Sequence, residues 1–106
     1  MTSINQERLR LDVVSGAKTI YQGDLVEAGE GNVSVRVPNR EEILVTPTLN
    51  KYHDLRKEDI VRMKFDRTVL SGKRGPSSEY RLHVAVYQAR PRANAVIHTH
   101  SPYATM

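Results

Sequence analysis

The chain has 106 residues, room for one small domain with a modest core, and its 39% apolar and 26% charged composition is that of a globular protein without a bilayer-spanning run. It contains no cysteine, which excludes disulfides and thiolate ligands and leaves His, Asp and Glu to hold any metal, with histidines at His53, His83, His98 and His100. The net charge of +4 is spread among acidic neighbours, as in Arg40-Glu41-Glu42 and Arg56-Lys57-Glu58-Asp59, so it predicts a solvated surface that attracts anionic metabolites rather than a nucleic-acid stripe.

Met1 to Glu7 lacks the basic-then-apolar layout of a secretion signal, so a cytoplasmic location is expected. Ser3 and Gln6 have capping-box spacing. Leu9, Val13, Ala17, Ile20 and Tyr21 then recur at three- and four-residue steps, which predicts a scaffold helix ending near Gly23. From Asn32 to Val37 the chain alternates: Val33, Val35 and Val37 on one face, Asn32, Ser34 and Arg36 on the other, the pattern of a half-buried strand. Gly29 and Gly31 before it allow positive φ and a close backbone approach to an anion, although a plain turn explains them equally simply. Pro38-Asn39-Arg40 reads as a turn and Glu42 to Thr46 as the second strand of a hairpin. Thr46-Pro47-Thr48 places two hydroxyls at that strand's end, where they either bind phosphate or turn the chain. Asp59 to Phe65 alternates again and pairs with Thr68 to Ser71 across Asp66-Arg67, giving a meandering antiparallel sheet.

After the Gly-, Pro- and Ser-rich loop from Gly72 to Ser78, either Ser77 or Ser78 caps a helix beginning near Glu79. Its expected core face is Leu82, Ala85, Val86 and Ala89, and Arg90-Pro91 ends it. Free N–H groups and serine hydroxyls at such a helix start suit a phosphate. Glu79 in the first turn is favoured by the helix dipole, and His83, one turn later on the same face, either orients that carboxylate or packs. The apolar run from Ala93 to Ile97 predicts a buried strand ending in His98 and His100. A spacing of two puts both imidazoles on one face, with Cα atoms roughly 6.5 Å apart. They can converge on one divalent ion at Zn–N distances of about 2.0–2.1 Å, supplying half a coordination shell. Ser101-Pro102 then signals a further helix of which only Tyr103 to Met106 follow. The expectation is that residues 1–106 are the N-terminal part of a single domain whose C-terminal half is absent.

Gly31-Asn32-Val33-Ser34-Val35-Arg36, Thr46-Pro47-Thr48, Pro76-Ser77-Ser78-Glu79 and His98-Thr99-His100, in this order and spacing, resemble the class II aldolase/adducin N-terminal family, on the side of its sugar-phosphate aldolases. The resemblance covers nearly the whole chain. It implies a three-layer α/β/α domain on a largely antiparallel sheet, and homo-oligomers, tetramers in the family's aldolases, with sites between subunits. It implies a zinc-dependent lyase that cleaves a ketose phosphate by a retro-aldol reaction. His98 and His100 would be two of three zinc-binding histidines, the third lying beyond position 106. Glu79 would be the catalytic acid/base and a metal ligand when substrate is absent, and Gly31, Asn32, Thr46, Thr48, Ser77 and Ser78 would hold the phosphate. Glu79 favours aldolase over the related ribulose-phosphate epimerases, which carry Asp there. Leu49, where the aldolases usually have glycine, and Glu30, a carboxylate near the proposed phosphate, are departures that bear on the substrate. The alternatives are a non-catalytic, adducin-like interaction module or a member with epimerase or dehydratase activity. The 106-residue chain by itself is expected to be inactive or nearly so.

Overall fold

The structure, a computed structural model, describes residues 3–22, 31–48, 55–72 and 74–98, with only the backbone described at 3–5 and 21–22. Helix α1 (Ser3–Gln22) is followed by strands β1 (Asn32–Arg36), β2 (Glu42–Val45), β3 (Val61–Lys64) and β4 (Val69–Ser71), helix α2 (Tyr80–Ala89) and strand β5 (Ala95–His98). The strands form one antiparallel sheet in the order β4-β3-β2-β1-β5.

Of the expected apolar stripe of α1, Val13, Ala17 and Ile20 are buried and Leu9 partly so, while the side chain of Tyr21 lies outside the described residues. Val13, Ala17 and Ile20 pack on Val33, Val37 and Leu44, with Leu55 and Ile60 closing the cluster. Gly16 lets the helix come near β1: a Cβ there would lie 3.3 Å from Val33 Cγ1, tighter than ordinary contact. At the margin of this face Arg62 donates to Glu42 at 2.8 and 2.5 Å from two guanidinium nitrogens. The opposite face carries a second cluster, Ile43, Val45, Val61 and Met63 from the sheet with Val84 and Tyr87 from α2. Alternation along β2 sends Leu44 to the first cluster and Ile43 and Val45 to the second, which is why one short strand serves two cores. The architecture is therefore α/β/α, as the family resemblance implies.

The hairpin between β1 and β2 closes where expected. Asn39 takes a φ of 62°, in the left-handed region that asparagine tolerates better than most residues, and Val37 N–H donates to the Glu42 carbonyl at 3.0 Å. Residues Lys57–Asp59 form a 3-10 turn, so β3 begins at Val61 rather than Asp59.

Three expectations are corrected. The polar side of β1 is not solvated: Asn32 and Ser34 are buried because α2 lies over them. The core face of α2 is His83, Val84 and Tyr87, while Leu82 is 44% exposed and Ala85 and Ala89 are exposed. That helix is apolar on more than one side, and hydrogen-bond partners on β1 select the stripe that carries His83 and Tyr87. Strand β5 is not buried; it is an edge strand in this sheet, with Ile97 55% exposed.

Candidate active site

Register determines what meets at the β5 end of the sheet. Asn32 of β1 lies opposite His98 of β5, and Ser34 opposite Val96. Side chains directly opposite on neighbouring strands project from the same face, so Asn32 and His98 both leave the sheet on the α2 side. The segment before α2 is fixed to the end of β2. Thr48 N–H donates to the Gly75 carbonyl and Ser77 N–H to the Thr46 carbonyl, each at 2.9 Å, around a bridge between Pro47 and Pro76. Arg74 adds a guanidinium bond to the Thr48 carbonyl at 2.7 Å. This clamp sets where α2 starts and brings Glu79 over β1 and β5.

Glu79 Oε2 there accepts from Asn32 Nδ2 at 2.6 Å and meets His98 Nδ1 in a second hydrogen bond. The side chains of His98 and Glu79 are 30% and 35% exposed, so this contact opens to solvent while Asn32 beneath it is buried. The hydroxyl of Ser77 accepts Glu79 N–H at 3.3 Å and its carbonyl accepts Tyr80 N–H at 3.0 Å, so Ser77 ties down the helix start, whereas Ser78 is exposed. Thr46 is buried, its Oγ1 accepting Val33 N–H at 3.3 Å. Gly31, with φ of 80°, turns the backbone into β1 in a conformation that a Cβ would strain. His100 and Thr99, together with Glu30, Leu49 and His53, lie outside the described residues.

Beneath Glu79 runs a chain of polar groups that sequence reasoning only partly anticipated. His83 Nε2 meets Asn32 Oδ1, His83 Nδ1 lies 2.6 Å from Ser34 Oγ, and Ser34 Oγ lies 2.8 Å from Tyr87 Oη. Tyr87 Oη also bonds the backbone of Val96 on β5. The donors can be assigned in order. An ionised carboxylate only accepts, so the Asn32 amide presents N–H to Glu79 and its carbonyl to His83. His83 therefore carries its proton on Nε2, its Nδ1 accepts from the Ser34 hydroxyl, and Ser34 in turn accepts from Tyr87. Burial, with the neighbouring His98 as a smaller cause, holds the His83 pKa down from 6.5 to about 4, so the imidazole is neutral. Burial likewise pushes Tyr87 up to about 12, which keeps its hydroxyl protonated. Ser34 and Tyr87 were missed as site-supporting residues. The signals were a polar face on a strand and a His/Tyr pair four apart on a helix, and both read equally well as surface.

Of the residues singled out in the sequence, the fold brings Glu79, Asn32 and His98 into contact and gathers Thr46, Thr48 and Ser77 at the clamp. Among the described residues no three His, Asp or Glu side chains converge as a metal site. Two donors do face each other, an imidazole nitrogen and a carboxylate oxygen. An imidazole nitrogen and a carboxylate oxygen are both donor types that zinc accepts, and two of them supply half of a four-coordinate shell.

Comparison with known proteins gives the family. The chain is 35% identical over 100 residues to the 5-deoxy-D-ribulose 1-phosphate aldolase of Bacillus thuringiensis, covering 92% of this chain and 46% of that protein. It is 35% identical over 102 residues to the L-fuculose phosphate aldolase of Escherichia coli, covering 96% and 46%. A solved L-fuculose 1-phosphate aldolase superposes with a TM-score of 0.87 at 30% identity, over 99% of this chain and 48% of that one. The solved l-fuculose-1-phosphate aldolase of Thermus thermophilus gives 0.75 at 26% identity, over 92% and 48%. The chain thus spans about half the length of the curated relatives it matches. Residues 12–106 match the profile described as Class II Aldolase and Adducin N-terminal domain, and the chain belongs to that family.

Proposed function

We propose that the protein containing this chain is a zinc-dependent class II aldolase that cleaves a ketose 1-phosphate by a retro-aldol reaction. One observation carries this reading: the Glu79 carboxylate meets His98, nineteen residues later in the chain, while held from below by Asn32. A structural glutamate at a helix start would have no need of an imidazole partner on another strand. The relatives named above are aldolases of 5-deoxy-D-ribulose 1-phosphate and L-fuculose phosphate, which supports a ketose phosphate as the substrate.

In this reading Glu79 is the general acid/base. Cleaving the carbon–carbon bond of a ketose requires one proton to leave a hydroxyl and another to reach the carbon left behind, and Oε2 moves the proton at carbon. A zinc ion held by His98, His100 and a third histidine beyond position 106, with Glu79 as a ligand only while substrate is absent, would act as a Lewis acid toward the charge that develops on the substrate oxygens. The remaining residues fix the substrate. Thr48, Ser77 and Ser78 at the clamp, the backbone at Gly31 and the second N–H of Asn32 hold the phosphate, with Thr46 beneath them. Binding the phosphate away from the reacting carbons restricts the sugar to one orientation. The site is completed by assembly into a homo-oligomer, in the cytoplasm. Among the described residues no helix is long and apolar enough to cross a membrane.

The test is turnover of ketose 1-phosphates by the protein expressed from its complete reading frame and loaded with zinc. Glu79→Gln keeps the size of the side chain and removes the base, and should lower kcat by about 100-fold or more. Unchanged turnover in that variant overturns the role. Absence of both turnover and zinc uptake in the unaltered protein overturns the aldolase reading in favour of an interaction module.

A further inference from the structure

We infer that His83 is the positioning residue of the site, acting on Glu79 through the amide of Asn32. This deepens the aldolase reading and rests on it for its catalytic consequence.

The inference follows from an ambiguity in asparagine. Its amide has a carbonyl end and an N–H end of nearly equal shape, and nothing in the side chain itself decides which one faces Glu79. If the carbonyl faced Glu79, two acceptors would be pressed together at the mouth of the site. The orientation that Glu79 favours as an acceptor is locked one step deeper. His83 is fully buried and its Nδ1 lies 2.6 Å from Ser34 Oγ; in the tautomer that accepts the Ser34 hydroxyl, which the NMR measurement below decides, the proton sits on Nε2 and must go to an acceptor. Asn32 Oδ1 is that acceptor, and the N–H end is thereby turned to Glu79 Oε2 at 2.6 Å. The Tyr87 hydroxyl, 2.8 Å from Ser34, fixes the direction of the Ser34 proton from the far side. His83 touches neither Glu79 nor His98, so its effect is on where the carboxylate points.

The same chain links the two strands that shape the site. Asn32 and Ser34 are alternate residues of β1, and Tyr87 reaches the backbone of Val96, two residues before His98 on β5. Partners that hold a metal-binding carboxylate in place commonly matter about 10- to 100-fold to activity or metal affinity when removed.

Three versions of the protein from its complete reading frame test this: unaltered, His83→Phe and His83→Gln. Gln can still donate to Asn32 and accept from Ser34, whereas Phe fills the space and does neither. Nitrogen NMR of the metal-free protein should show His83 protonated on Nε2. His83→Phe should move the Asn32 side-chain amide and Glu79 carboxyl signals and lower kcat by about 10- to 100-fold with KM nearly unchanged. His83→Gln should restore most of both. A buried histidine that serves only packing predicts the reverse, with Phe tolerated and Gln harmful. A Glu79 carboxyl signal that stays put in a folded His83→Phe protein overturns the inference, as does His83 protonated on Nδ1. If the unaltered protein turns over no ketose phosphate, the aldolase reading fails separately, because the NMR signals decide the positioning role without turnover.

Discussion

Helix α1 meets the sheet through an apolar centre, Val13, Ala17 and Ile20 on Val33, Val37 and Leu44, while an ion pair between two strands, Arg62 of β3 with Glu42 of β2, lies at the margin of that face. Helix α2 meets the other face half through apolar side chains and half through Asn32, Ser34, His83 and Tyr87, none of which carries a charge at neutral pH. The first face holds the fold together by removing apolar area from water, which is indifferent to small changes of direction. The second includes hydrogen bonds, which weaken steeply when misdirected, and it ends on Glu79 and His98. Direction is what a proton-transfer site needs, so the α2 face suits the proposed chemistry and the α1 face the scaffold.

The largest effect should come from the α1 face and leave the site alone. Leu44 is fully buried in the middle of the sheet against α1. Truncation of such a leucine leaves a cavity that β-strands cannot close, and Leu44→Ala should cost about 2–5 kcal/mol in urea unfolding. His83 should remain protonated on Nε2 in that variant. Loss of the His83 signal would mean that the two faces are not independent and would break the comparison.

Acid should act on the α2 face. His83 ionises at about 4 in the folded protein and near 6.5 in the unfolded chain. Above pH 6.5 both states are neutral and the contribution is complete. Between 6.5 and about 4 the unfolded chain takes up a proton that the folded protein refuses, so stability falls as the pH drops. The loss attributable to this group approaches on the order of 3 kcal/mol at the acid end. Chemical unfolding at a series of pH values measures it, and His83→Gln should flatten the profile in this window while leaving carboxylate effects at lower pH. An identical slope in the variant would place the acid sensitivity elsewhere.

The α1 face was legible in the sequence and the α2 face much less so, for a physical reason. Apolar burial announces itself by period alone, and the stripe from Leu9 to Ile20 and the alternation of Val33 and Val35 needed no partner to be recognised. A buried hydrogen bond is legible only when both ends are known. Ser34 and His83 are 49 residues apart; Ser34 alone reads as the polar side of a half-buried strand, and His83 alone as a residue that orients Glu79 or packs. That is why the apolar period of α2 predicts Leu82, Ala85, Val86 and Ala89 as its core stripe although His83, Val84 and Tyr87 form it. Strand β5 was misjudged for a related reason: its apolar residues show what it could bury, not whether another strand lies beside it. The ordered motifs around Asn32, Thr46, Ser77 and His98 were visible, but not that the Pro47–Pro76 bridge gathers two of them.

The smallest expected effect sharpens the comparison most, because it tests how far along the polar chain direction matters. Tyr87→Phe keeps the ring that packs on Ile43 and Met63 and removes only the hydroxyl that Ser34 and the Val96 backbone share. Leaving those partners short of one hydrogen bond should cost about 1 kcal/mol of stability. The consequence for Glu79 should be slighter than that of His83→Phe. With Tyr87 gone the Ser34 hydroxyl can still donate to His83 Nδ1, so the proton stays on Nε2 and Asn32 keeps its orientation. Tyr87→Phe should therefore change kcat by less than about 3-fold, well under the range for a direct support of a ligand. A loss as large as that of His83→Phe would show that the orientation of Asn32 depends on Tyr87 as much as on His83.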